Sequence, residues 1–150
     1  MTDNSKTVYR SQYLEKQGKD NTGPFLEVFL ERADGIASSD VNGLSDPYVN
    51  ISIGNESVRS QTIMKSLNPV FYQALFISLH EVEDVAKINF EVMDWDKFSK
   101  DDLCGTSSLE LDISKTVSGV TVPHVLIIQP QGSIYVRLTV HNHKKCSAAL

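Results

Sequence analysis

From Phe25 onward the chain alternates apolar and polar positions with a period of two. Leu26, Val28 and Leu30 interleave with Glu27, Phe29 and Glu31, which sends one set inward and the other outward along a half-buried strand. The same alternation returns at Val49, Ile51 and Ile53, at Leu75, Ile77 and Leu79, at Ile88, Phe90 and Val92, and at Ile134, Val136, Leu138 and Val140. Helical spacing accounts for none of these runs. Weaker strands fit residues 58–64, 105–111 and 124–128, with chain-turning residues between them at Gly54-Asn55, Asn68-Pro69, Gly119 and Gln131-Gly132. Eight short strands separated by turn signals predict an all-β fold, an antiparallel sandwich of two sheets. Residues 1–23 are polar and poorly periodic and are expected to form a flexible leader, with one domain over 24–142 and a disordered tail over 143–150.

A chain of 150 residues suits one domain and buries enough apolar surface to fold without disulfides. Its longest apolar runs are strand-sized, far short of the roughly 20 residues of a membrane span, so any membrane contact is expected to be peripheral. The two cysteines, Cys104 and Cys146, lie far apart and no secretory signal precedes them, which predicts a reducing, cytoplasmic setting. The net charge of -5 argues against nucleic acid as a partner and against anionic lipid too, unless the sign of the surface changes locally. No nucleophile stands with a base and an oxyanion site, so an enzyme is not expected.

Alternate connections of an up-and-down chain emerge at one end, which brings together residues 34–46, 65–69 and 94–104. The first carries Asp40 and Asp46, the last Asp94, Asp96, Asp101 and Asp102. Any one of these is ordinarily a solvated loop residue. As a set they repel one another, raise each other's pKa and call for a cation, and hard carboxylate oxygens select calcium or magnesium. Asp94 and Asp96 flank Trp95 and face the same way on extended backbone. A helix-loop-helix calcium site does not fit, because the fifth, sixth and twelfth positions from Asp94 are Phe98, Ser99 and Gly105.

The stretch Asp40-Val41-Asn42-Gly43-Leu44-Ser45-Asp46-Pro47-Tyr48-Val49 resembles the first calcium loop of C2 domains, as found in conventional protein kinase C and the synaptotagmins. Leu67-Asn68-Pro69-Val70-Phe71 is similar to the family's Asn-Pro turn, and residues 94–105 to its third loop. The resemblance implies a β-sandwich with calcium ligands at Asp40, Asp46, Asp94, Asp96 and Asp102, joined by carbonyls near Ser39 and Trp95 and by the Ser99 hydroxyl. Asp101 falls outside that pattern. A convincing final strand over 133–141 favours the phospholipase-type (type II) arrangement, in which the chain starts at the strand entering the first loop.

The function so implied is calcium-dependent binding to anionic, phosphatidylserine-like phospholipid membranes by a monomer, cytoplasmic until calcium rises. Such a module serves membrane targeting, signalling or vesicle trafficking. Val41 and Phe98 stand at the loop tips, where insertion into lipid would bury them, and Lys65, Lys97 and Lys100 are placed to touch phosphates. The alternative is a calcium-regulated protein-protein interaction module whose partner binds a sheet face without lipid.

Overall fold

The computed structural model describes residues 23–38 and 43–141. The expected leader up to residue 22, the expected tail, and Ser39, Asp40 and Val41 lie outside the described residues. Eight strands run in the order β1 (Phe25–Asp34), β2 (Pro47–Ile53), β3 (Glu56–Arg59), β4 (Val70–Ser78), β5 (Val85–Asp94), β6 (Asp102–Asp112), β7 (Thr121–Ile127) and β8 (Ser133–His141). A single 3-10 turn, Ile113–Lys115, follows β6, and Asp112 caps it by accepting the Ser114 N–H. No helix of the described chain is long and apolar enough to cross a membrane.

Two four-stranded antiparallel sheets result, ordered β4-β1-β8-β7 and β3-β2-β5-β6. The inward members of the alternating runs close the core between them: Leu26, Val28 and Leu30 face Val49, Ile51 and Ile53, with Phe90, Ile134 and Val136 sealed among them. Burying each such side chain contributes about 1.5–3 kcal/mol, which fixes strand register because a slip by one residue would turn every one of them outward.

Three strand boundaries differ from the sequence expectation. β3 ends at Arg59 rather than running on to Met64, because Ser60 substitutes its side chain for the ladder: its Oγ accepts the Val49 N–H at 2.8 Å while its own N–H reaches the Val49 carbonyl. β6 begins at Asp102, three residues early, across a bulge in which Val92 pairs Gly105 and Met93 pairs Leu103. Cys104, the extra residue, turns into the core. β7 begins at Thr121 and its first three residues are exposed, so no alternation announces them.

The bulge also presses Gly105 against the β7–β8 turn. A Cβ there would lie 2.5 Å from Ile128 Cγ2 and 2.8 Å from the Gln129 carbonyl oxygen, a space that only glycine fits. Thr106 and Gln129 exchange backbone hydrogen bonds of 2.9 and 2.8 Å at the same place, tying the two sheets together near the loop end.

Candidate metal centre

The connections after β1, β3 and β5 do meet at one end of the sandwich. Asn68 Oδ1 accepts the Gly35 N–H at 2.8 Å and the Leu67 carbonyl accepts the Ile36 N–H, joining the first connection to the Asn-Pro turn. The Ser45 carbonyl accepts the Ser66 N–H, and Asp46 Oδ1 accepts the Lys65 N–H at 2.7 Å. Lys65 takes a positive φ of 53° there, a left-handed turn that aims its N–H at the carboxylate. Asp46 in turn gives its N–H to Asp94 Oδ1 at 2.9 Å, and its carbonyl accepts the Trp95 N–H at 2.9 Å. The backbone around Asp46 therefore locks the first and third carboxylate loops to each other.

Within the third loop Asp94 and Asp102 form the last paired rung of β5 and β6, so the segment 95–101 is a closed excursion between two aspartates. Asp94 is buried and Asp102 is exposed. Asp96 Oδ1 accepts the N–H groups of Phe98 and Ser99 at 2.9 and 3.2 Å, folding the tip into an Asx-type turn. The Phe98 amide, then the Ser99 hydroxyl, hold the Asp96 carboxyl below the ordinary carboxylate value, because donors favour the charged form. The turn projects Phe98 outward, 90% exposed, the largest exposure among the described large apolar residues. The ammonium of Lys97 stands 5.4 Å from the centre of its ring, and Lys65 and Lys100 are also exposed.

Asp46, Asp94, Asp96, Trp95, Ser99 and Asp102 are thus gathered at one end with Phe98 and the three lysines. Among the described residues no three His, Cys, Asp or Glu side chains stand close enough to share one ion, and Asp40, from the first loop, is not among them. The chemistry of the donors present, carboxylate and carbonyl oxygens without sulfur or imidazole, fits a hard cation of the calcium type. One further oxygen at this end, Ser45 Oγ beside Asp46, is buried without a hydrogen-bond partner among the described residues.

Four residues escape a reading by strand pattern. Tyr48 occupies an outward position of β2 yet is 4% exposed, covered by the Arg59 guanidinium 3.6 Å above its ring. Its hydroxyl donates to Asp101 Oδ2, while Asp101 Oδ1 accepts the Asp96 N–H at 2.9 Å. Burial and then the bond to Asp101 push the phenol up to about 12, and the Tyr48 hydroxyl, followed by the Asp96 amide, draws the Asp101 carboxyl down. The only advance signal was an aromatic out of phase with the core positions of its strand. Leu44, Met64 and Leu103 are the other missed residues, apolar and exposed on the connections and strand start at this same end.

A C2 domain family model matches residues 25–126. The chain is 31% identical over 105 residues to "Protein kinase C, eye isozyme" of Drosophila melanogaster, a match covering 67% of this chain and 14% of that protein. Among solved structures it superposes on a C2 domain of plant Extended Synaptotagmin 1 with a TM-score of 0.67 and 22% identity, covering 80% of this chain and 95% of that one. It also superposes on the calcium-bound pair of C2 domains of Extended-Synaptotagmin 2, with a TM-score of 0.61 and 24% identity, over 79% of this chain and 45% of that one. These superpositions speak for the fold, and the strand pattern, the loop sequences and the family match agree: the chain belongs to the C2 domain family.

Proposed function

We propose that this domain binds anionic phospholipid membranes in a calcium-dependent way, with the loop end as the docking tip. The observation that carries the reading is the placement of Phe98: a phenyl ring 90% exposed at the apex of a loop whose roots are Asp94 and Asp102. An aromatic so exposed is unfavourable in water and suited to an acyl layer, while the acidic residues beneath it would by themselves repel an anionic surface. Asp40, Asp46, Asp94, Asp96 and Asp102 are the residues assigned to hold calcium, with carbonyls near Ser39 and Trp95 and the Ser99 hydroxyl. Bound calcium supplies positive charge and coordination positions open to lipid phosphate or carboxylate. Phe98 and Val41 are assigned to insertion, and Lys65, Lys97 and Lys100 to neighbouring headgroups, each near the surface adding about 1 kcal/mol. The calcium-bound Extended-Synaptotagmin 2 domains support the assignment of the metal.

Sedimentation with phosphatidylserine/phosphatidylcholine vesicles tests the reading. The intact chain should pellet with calcium and stay soluble in chelator, and Asp94→Asn should abolish pelleting. Equal pelleting in chelator defeats the switch. Heat of calcium binding without any pelleting defeats lipid docking and supports the protein-interaction alternative.

A further inference from the structure

Asp101 is the last residue of the acidic loop before β6, and its two oxygens are already engaged. Oδ2 accepts the hydroxyl of Tyr48 from β2, and Oδ1 accepts the amide of Asp96. Asp96 Oδ1 then accepts the amides of Phe98 and Ser99. A continuous chain of bonds thus runs from the body of the sandwich through Asp101 to the loop apex. Arg59 of β3 stacks on the Tyr48 ring, so the tyrosine is held by its ring from β3 and by its hydroxyl from the loop.

We infer that Tyr48 and Asp101 are positioning residues, a latch that fastens the 94–102 loop to β2 and sets where Asp96 and Phe98 stand. Without it, the segment between Asp94 and Asp102 would keep the Trp95 N–H bond to the Asp46 carbonyl at its root, but beyond Trp95 only the short-range Asx turn at Asp96. A loop so released samples many paths, and ordering it again on binding costs affinity. An ordinary phenol, with a pKa of about 10, keeps its proton throughout the physiological range, so Tyr48 is a donor there. A neutral amide at this position keeps both links: its oxygen accepts the Asp96 N–H, and its NH2 donates to the Tyr48 hydroxyl oxygen, which can accept as well as donate. The effect on calcium uptake rests on the proposed function; the latch itself rests on the bonds.

The test compares Asp101→Ala, Asp101→Asn and Tyr48→Phe in the full chain. Amide hydrogen exchange at Asp96, Phe98 and Ser99 in chelator reads the latch alone, and calorimetric titration with calcium reads its consequence. Tyr48→Phe should speed exchange at the Asp96 amide and weaken calcium uptake by roughly tenfold, the worth of one hydrogen bond to a charged group, and Asp101→Ala, which loses two such bonds, by more. Asp101→Asn should stay within about threefold of the parent in both, a small fraction of that bond. The inference is overturned if Asp101→Asn is as damaging as Asp101→Ala, since charge or direct ligation would then be its role. It is equally overturned if Asp101→Ala and Tyr48→Phe leave exchange unchanged. Should the parent chain take up no calcium, the proposed function fails while the exchange measurement still decides the latch.

Discussion

Phe90 and Phe98 are the same side chain in two opposite situations. Phe90 is fully buried in β5, sealed by both sheets, whereas Phe98 stands 90% exposed at the apex of the loop that β5 leads into. The interior is held by apolar contact, which is non-directional and depends on volume. The loop end is held by bonds of fixed direction to Asp46, Asp94, Asp96 and Asp101. Stability is therefore concentrated in the interior, and on the proposed reading recognition belongs to the loop end, so substitutions should separate them.

The sharpest break comes from Phe90→Ala, which should lower the unfolding free energy by about 3–5 kcal/mol in urea titrations, with or without calcium. Phe98→Ala should leave that free energy within about 0.5 kcal/mol. On the proposed reading it instead weakens vesicle binding by about 1.5–3 kcal/mol, readable as a rightward shift in the lipid needed for half-pelleting. If the two variants lose stability alike, the division of labour is wrong. Gly105→Ala tests the border between the regions: its Cβ would press on both the Ile128 side chain and the Gln129 backbone, and the expected loss is about 1–3 kcal/mol by thermal unfolding.

The smallest effect is that of acid. Asp96, Asp101 and Asp112 all have carboxyls drawn below the ordinary value of 3.8, so the charged forms favour the folded state. Their contribution is fully present above that value and is lost as pH falls below it through the lowered folded-state values. The opposite sign holds for Tyr48: its contribution is intact below the ordinary phenol value of 10.0 and is lost as pH rises through about 12. Trp95, the chain's one tryptophan, reports the loop, since it lies within it and its backbone N–H is bonded to the Asp46 carbonyl. In metal-free protein its fluorescence should change below pH 3.8 before the far-ultraviolet signature of the sheets does. Simultaneous loss of both signals would show that the loop is no looser than the core.

How much of this was legible follows from the same contrast. β1, β2 and β8 were plain in the sequence because each buries one face, and burial imposes a period of two on residue choice. β3 and β7 are edge strands, where one side needs no partner and the outward residues are free to be apolar, as Val125 and Ile127 are; there the period blurs and the ends were misplaced. In the candidate site the aspartates showed themselves by spacing and by family likeness. The pairing of Tyr48 with Asp101 could not, because it joins positions far apart in the chain through a side-chain geometry that no local pattern encodes.

The place of β8 in its sheet has a consequence for synthesis. β1 pairs along one edge with β4 and along the other with β8, and β7 finds its partner in β8 alone. A nascent chain that has left the ribosome only as far as Ile127 holds a bare edge on its first strand and an orphaned seventh. Pairing Phe25 with His141 joins the two ends of the described chain, the slowest kind of contact to form. The interval before that closure is when neighbouring nascent chains would find an edge to pair with, and when a chaperone has most to shield.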